Sequence, residues 1–517
     1  MDSKNNLLKT ATIMIVFNLF SKLLGFLRDY MTAIKFGTSI QADAYLMASN
    51  IPNLLFVLLG VAISTIFIPI YNDIKHNNSI EELNDFTNNF ITILLIISFI
   101  LTIICEVLAP TLVSIMAPGF YGNTETLTIL LTRILSSVIV FNTIIYIYTA
   151  ILQCNNRFAI PASIGIPYNI VLIGYYIFFS DKYGVIGISI MVSIALIIQL
   201  AILYITLKRI GFKYKVYLNL KDKYIKKMIK LFIPVCIGTG MNQLNGIFNG
   251  IFASTLDSGS VAAMNYALKL NSLIVDILIV SFITVVYQNL SKVAAEKNYE
   301  KIADEANKSI VIIFLVLIPI VSCIFINVNM IVRILFERGA FNSNSTSMTA
   351  SAFYYYLLGL FALAINEVLS RICYATGDTK TPMTNTFFSI TVNIIFSSIL
   401  VKKIGVGGIA LGSTIGILFA ASLLLYRIKR KIFGVLNRGT VVKLGKLFIS
   451  AIPMIAILYL GKYLFLLNET LSLLQQVIRL CSISLSGIIL YIISVYFIKI
   501  DEFYETINLF LHKMRRK

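Results

Sequence analysis

The 517-residue chain is 58% hydrophobic and 13% charged, with a mean hydropathy of +0.86, no Trp, two His and a formal net charge of +19. Too few of its residues are charged for a water-soluble globular domain, which leaves an integral membrane protein. The excess of Lys and Arg must be located along the chain before it is read as a nucleic-acid surface.

Apolar runs long enough for the ~30 Å hydrocarbon core recur from end to end, and about fourteen are read. They fall near 10–36, 41–71, 88–116, 127–152, 159–180, 184–207, 228–255, 261–290, 308–335, 347–375, 382–401, 405–427, 444–466 and 472–498. The expected fold is all-α and membrane-embedded. The first run is too long and too polar for a secretory signal, and no small-residue cleavage site follows it, so it is expected to remain as a span.

That first run carries Ser21-Lys22, Gly25 and Arg28-Asp29 inside an otherwise apolar stretch. A cation near the middle of a spanning helix costs several kcal/mol or more unless it faces water, a partner or an anionic ligand. Lys22 and Asp29 are seven residues apart and share a helical face, and Gly25 between them permits a bend or a close approach. Two readings fit: a polar cavity that takes an anion, or a set of paired structural charges.

Glu106 and Arg133 are isolated in the third and fourth runs and are expected to pair or to sit near an interface. Span seven places Asn242, Asn245 and Asn249 at i, i+3 and i+7, with Gln243 beside them, which makes either inter-helix hydrogen bonds or a polar cavity wall. Span eight carries Lys269 and Asp276, again seven apart, as an opposing cation or as a buried, partnered Lys. In span ten Glu367 and Arg371 have the i,i+4 spacing with the acid first, which predicts a mutual salt bridge. Asp378-Thr379-Lys380-Thr381-Pro382 reads as a tight structural turn.

Lys and Arg concentrate in alternate loops: 208–230, 292–308, 427–446 and the tail 513–517. If Met1 starts in the cytoplasm, about 30 basic residues fall inside and about six outside, the positive-inside bias. The charge is therefore topological, both termini are expected in the cytoplasm, and no nucleic-acid partner is implied. Basic loops at an inner leaflet also hold anionic membrane lipids. The six cysteines are scattered without a CxxC or Cys/His cluster, so neither a disulfide framework nor a metal site is expected.

The sequence matches itself without gaps at an offset of 221 residues, which pairs Tyr45 with Tyr266, Pro161 with Pro382, Gly184 with Gly405, Gly187 with Gly408 and Lys208-Arg209 with Lys429-Arg430. A six-span lobe at 1–215, a connector and second six-span lobe at 216–436, and two further spans with a basic tail at 437–517 follow. Six being even, both lobes enter with one orientation, as parallel repeats do, and such lobes can rock about a central site. The amphipathic pattern of 208–230 predicts an interfacial helix between them. No GxxxxGK[ST] loop, nucleophile-and-base set or catalytic carboxylate pair is present. The chain is read as a transporter and not an enzyme, without a cofactor, running downhill or on a membrane potential or a Na+ or H+ gradient.

The run FSKLLGFLRDYMTAIKFGTSIQADAYLMASNIPNLL, then FIPIY, RILFERGAFNSNST and LSRICYATGDTKTPM, resembles the MurJ or MviN lipid II flippases of the multidrug/oligosaccharidyl-lipid/polysaccharide exporter superfamily. The resemblance covers essentially the whole chain. It implies translocation of an undecaprenyl-diphosphate-linked peptidoglycan precursor from the inner to the outer leaflet of a bacterial plasma membrane. It also implies a tail groove in the last two spans and cell-wall synthesis proteins as partners. By motif, Ser21, Lys22, Arg28 and Asp43 fall on the family's cavity positions, and Lys269 falls where a cavity arginine is common. Gly25, Asp29, Asn53 of the IPNLL run, the span-seven asparagines, Asp276, Glu367 and Arg371 are taken as supporting or gating positions.

Departures from the family pattern bear on the cargo. Lys22 stands where many members have Arg, Phe56-Val57 where some have two arginines, Gly60-Val61 near an absent glutamate, and Leu268 where an Asp often precedes the cation. The competing functions are a flippase for another polyprenyl-diphosphate glycan, such as a capsule or exopolysaccharide unit, and an ion-coupled small-molecule exporter. Acidic residues should dominate the cavity of an exporter for cationic drugs, whereas span one is cation-rich.

Overall fold

The structure, a computed structural model, describes residues 2–296, 298–466 and 472–505, apart from side chains at 2–12, 58, 61–62, 233–239, 241–242 and 464–466. Asn242, Cys236 and the basic tail at 513–517 therefore lie outside the described residues or side chains. Among the described residues the chain is helical, with no strand. It forms two compact units, Met1–Ala262 with Arg338–Asn342, and Ala263–Glu337 with Ser343–Lys517.

The first unit holds α1 (Asp2–Phe36), α2 (Ile40–Ala62), a π-helical segment Ile63–Phe67, α3 (Ile68–Asn77), α4 (Ile80–Val107), α5 (Ala109–Met116), α6 (Asn123–Leu135), α7 (Val138–Cys154), α8 (Ala159–Ser163), α9 (Gly165–Phe178), α10 (Ser180–Arg209) and α11 (Lys223–Ser254). Next comes α12 (Ser260–Ile274), whose first turn belongs to that unit. The second holds the rest of α12, a π-helical segment Val275–Val280, α13 (Ser281–Ala295), α14 (Tyr299–Ile326), α15 (Val328–Phe336), α16 (Ser343–Ala375), α17 (Lys380–Ile404), α18 (Val406–Lys429), α19 (Arg438–Ser450), α20 (Ile452–Leu466) and α21 (Leu473–Ile498). The repeat register groups α11 with the second half, yet α11 packs on α2, α4 and α5 and so belongs to the first compact unit.

Eleven helical segments among the described residues are long and apolar enough to cross a membrane. The other three spans expected from the sequence fall on α1, α2 and α11, each of which includes residues without described side chains. The outward faces are apolar: α4, for example, leaves Ile97, Phe99, Ile100 and Ile103 exposed while burying Asn88 and Asn89. That reversal of the soluble pattern is what hydrocarbon as solvent requires, since the backbone is satisfied inside the helix and polar side chains turn inward.

The internal repeat extends to backbone conformation. Gly184 has φ 51° and ψ −144°, kinking α10 after its first turn, and its mate Gly405 has φ 60° and ψ −134° at the entry to α18. A side chain is strained at such angles, which explains why both positions are glycine. The turn after α7 places Asn156 at φ 58°, and the residue 221 positions on, Gly377, has φ 78°.

A buried asparagine holds a loop in each unit. Asn89 of α4 donates through Nδ2 to the Asn219 carbonyl at 2.8 Å and accepts from the Asn219 N–H at 2.9 Å, while Asn88 accepts from the Lys215 N–H at 3.2 Å. Asn307 of α14 donates to the Gly434 carbonyl at 2.8 Å and accepts from the Leu436 N–H at 2.7 Å. These contacts correct the expectation of an interfacial helix over 208–230: α10 ends at Arg209, residues 212–219 are non-helical, and α11 starts only at Lys223. Asn side chains offer backbone groups a partner other than their own helix, and here they take the connector's N–H and C=O groups.

The Asp378 turn is structural, as its sequence predicts. Asp378 accepts from the Thr381 N–H at 3.0 Å, the Thr381 hydroxyl at 2.7 Å and Lys431 Nζ at 2.6 Å. The bond from Lys431, followed by the two from Thr381, holds its carboxyl at about 2.

Candidate substrate-binding site

In α1, Arg28 and Asp29 form their own pair, with Nη2 and Nε of Arg28 donating to Asp29 Oδ1 at 2.7 and 3.1 Å. The guanidinium carbon lies 5.7 Å from the centroid of the Tyr168 ring on α9. Pairing and the ring face both lower the cost of holding a guanidinium in a spanning helix, the ring by ~0.5–2 kcal/mol. With five N–H donors on a guanidinium, donation to Asp29 leaves the fork with capacity for a further acceptor. Asp29 is thus engaged by its neighbour, while Lys22, which shares its helical face, is exposed from the protein surface.

Ser21 and Gly25 mark the close approach of α1 to α9. A Cβ on Gly165 would meet Ser21 Oγ at 2.1 Å, and one on Gly25 would meet Asn169 Nδ2 at 3.8 Å. Asn169 Nδ2 donates to the Gly165 carbonyl at 2.9 Å and to the Ser21 carbonyl at 3.3 Å. Two turns beyond Gly25 along α1, Thr32 Oγ1 lies 2.8 Å from Tyr176 Oη.

Asp43 is 2% exposed. Its Oδ2 accepts from the Gly259 N–H at 2.6 Å and its Oδ1 from the Ala262 N–H at 2.7 Å. These N–H groups belong to the start of α12, where donors lack helical partners and a carboxylate meets the positive end of the helix dipole. The family resemblance puts Asp43 in a cavity; its geometry is that of an anchor for α12. Asn53 is exposed, Asn245 half-buried and Asn249 buried, so the span-seven stripe turns from one environment into another along α11. Phe56 is buried against Tyr146 with ring centroids 4.9 Å apart.

In the second unit Lys269 and Asp276 are both exposed. Asp276 lies in the π-helical segment, where Ser281 Oγ donates to its carbonyl from five residues on, at 2.9 Å. The expected Glu367–Arg371 salt bridge is present at 3.1 Å, and the Arg371 guanidinium lies 5.7 Å from the Tyr287 and Tyr374 ring centroids. Arg133 Nε reaches the Glu106 carbonyl at 3.3 Å rather than its carboxylate.

Sequence reasoning missed Tyr168, Asn169 and Tyr176, although two adjacent polar groups in apolar span five were a readable signal. It also missed Arg338, which donates to Tyr30 Oη at 2.5 Å, and the Ala340 N–H, which donates to the Ile34 carbonyl at 2.8 Å. Among the described residues no group of three His, Cys, Asp or Glu side chains is placed to hold a metal ion.

A family model described as "Lipid II flippase MurJ" matches residues 32–496. The chain belongs to the MurJ lipid II flippase family. A MurJ relative from Rickettsia prowazekii (strain Madrid E), named probable lipid II flippase MurJ, is 29% identical over 422 residues, which is 81% of this chain and 83% of the relative. The protein of that name from Buchnera aphidicola subsp. Baizongia pistaciae is 27% identical over 487 residues, 93% and 95% of the two chains. A solved structure described as lipid II flippase MurJ in an inward closed conformation is 27% identical, with a TM-score of 0.78 over 94% of this chain and 98% of that one. The MurJ fold extends to an inward-facing multidrug transporter of the MATE family, in the MOP superfamily, at 16% identity and a TM-score of 0.66 over 82% and 98% of the chains.

Proposed function

We propose that this MurJ-family chain moves lipid II, an undecaprenyl-diphosphate-linked peptidoglycan precursor, from the inner to the outer leaflet of a bacterial plasma membrane by alternating access. The observation that carries the proposal is the family match over residues 32–496, with relatives named for that activity. Physical chemistry supports the anion: taking an unpaired charged headgroup into hydrocarbon is prohibitive, and fixed cations remove much of that cost. Arg28 and Lys22 of α1 and Lys269 of α12 are the proposed diphosphate ligands, Arg as a fork and Lys as point charges. Asp29 and Tyr168 orient Arg28, Ser21 and Gly25 seat α1 on α9, and Asp43 anchors α12.

No cofactor is proposed. An inside-negative potential favours outward movement of an anion by about 2.3 kcal/mol per charge per 100 mV, a sufficient source of direction, with a Na+ or H+ gradient as the alternative. Both termini are placed in the cytoplasm on the positive-inside bias, and cell-wall synthesis proteins are the proposed partners.

The test is depletion of a bacterium's endogenous lipid II flippase with this chain as its only replacement. Growth is expected. Absence of growth despite good membrane expression refutes lipid II as cargo, and export of a capsule or exopolysaccharide unit in the same cells would transfer the assignment to that glycan, as the loss of arginines at Phe56-Val57 favours.

A further inference from the structure

The first unit holds a cavity of ≈ 590 Å³ to which α1 contributes nothing, between the last turns of α3 and the turn after α7. Asn72, Lys75, His76, Gln153, Asn156 and Phe158 form most of its wall. The volume lies within the ~300–1,000 Å³ of small-molecule sites.

The charge balance selects a class of ligand. Lys75 Nζ donates to the Cys154 carbonyl at 2.9 Å and to Asn155 Oδ1 at 2.8 Å, so its charge is held against the end of α7. Both α3 and α7 end here, at Asn77 and Cys154, and a helix C-terminus carries roughly half a negative charge. A bare phosphate gains little from that field. By contrast, the side chains of Asn72, His76, Gln153 and Asn156 make no hydrogen bond within the described chain. Three amides and an imidazole offer donors and acceptors together, and Phe158 adds an apolar face, which is the chemistry that recognises sugar hydroxyls and N-acetyl groups.

The repeat shows that the fold itself does not call for these amides. The residues 221 positions beyond Gln153–Asn156 are Tyr374, Ala375, Thr376 and Gly377, none of them an amide. Gly377 supplies the left-handed turn in the second half, whereas the first half keeps a side chain at the same kind of angle, φ 58° at Asn156. Asn is the side-chain-bearing residue best suited to this conformation, so Asn156 meets the turn's requirement and, unlike Gly377, also offers an amide to the cavity.

We infer that this cavity binds the N-acetylated sugar portion of the lipid-linked headgroup, at a place distinct from the α1 cations proposed for the diphosphate. The inference rests on the flippase reading. The short connection between α3 and α4 lies at the cavity's end of α3, on the side where the positive-inside bias puts the substrate before translocation.

The test uses the purified full chain and two lipids, lipid II and undecaprenyl diphosphate, which lacks the sugars. The double variant Asn72→Ala/Gln153→Ala and the single variant Asn156→Gly are measured beside the wild type; the glycine accepts the turn's φ without strain. Wild type is expected to bind lipid II more tightly than undecaprenyl diphosphate. Loss of two neutral hydrogen bonds should weaken lipid II binding by about tenfold in the double variant and leave undecaprenyl diphosphate within about twofold. Unchanged lipid II affinity in both variants, equal weakening for both lipids, or equal wild-type affinity for the two lipids overturns the sugar site alone. A wild-type chain that binds neither lipid overturns the flippase reading and the sugar site with it.

Discussion

Replacing Asp43 by Ala separates an anchor from a substrate ligand. The carboxylate is buried, and both its oxygens are taken by backbone N–H groups 216 and 219 residues away. A hydrogen bond to a charged group contributes about 1.5–3 kcal/mol, and a buried donor left without a partner costs a further desolvation penalty. Asp43→Ala removes two such bonds and strands the Gly259 and Ala262 N–H groups, so a loss of about 3–5 kcal/mol is expected. Asp43→Asn keeps one oxygen to accept and turns an amide donor toward the other N–H, so roughly half that loss or more is expected. Thermal unfolding of the purified protein reads the stability, and a flipping assay on the same preparations reads transport. Both should fall, in the order Ala below Asn below wild type. An Asp43→Ala protein that melts with the wild type yet no longer transports would refute the anchoring role and return the carboxylate to the substrate.

Three further outcomes are expected. Arg28→Ala should abolish transport while Lys22→Arg preserves it, measured by lipid flipping in vesicles at matched protein levels; normal transport by the alanine variant sinks the assignment of α1. Gly184→Ala and Gly405→Ala should each lose ~1–3 kcal/mol because a side chain is forced into a conformation nearly reserved for glycine. Gly174→Ala, which meets nothing within 4 Å inside α9, should lose no stability and gain up to ~1 kcal/mol in the same melting series. Asn307→Ala should cost about 2–3 kcal/mol of local stability by releasing the Gly434 carbonyl and the Leu436 N–H, seen as faster amide exchange at 434–436 with little change elsewhere.

Much of the fold is legible in the sequence because hydrocarbon imposes a simple rule. A span must satisfy its own backbone and show apolar side chains outward, so long runs such as those in α4, α14 and α18 announce themselves. The repeat was equally legible: Gly184 and Gly405 align at 221 residues because each occupies a backbone conformation that few other residues tolerate. Local spacing also fixed Glu367–Arg371 and the Asp378–Thr381 turn, whose paired residues lie within one helical turn or one loop, whereas the Lys431 contact to Asp378 was not legible.

Partners distant in sequence were not legible. Nothing near Asp43 tells that its oxygens meet the N–H groups of Gly259 and Ala262, and nothing in residues 212–219 tells that Asn88 and Asn89 take up their backbone. An amphipathic pattern reports which side chains prefer the interface, but whether the segment coils depends on what else offers hydrogen bonds. Composition, span order, repeat and family were therefore determined by the sequence alone, since each follows from the solvent or from a local backbone constraint. The roles of Asp43, Tyr168, Asn169 and the connector were decided only by the tertiary structure, because hydrogen bonds and charge pairing act over a few ångströms of space whatever the separation along the chain.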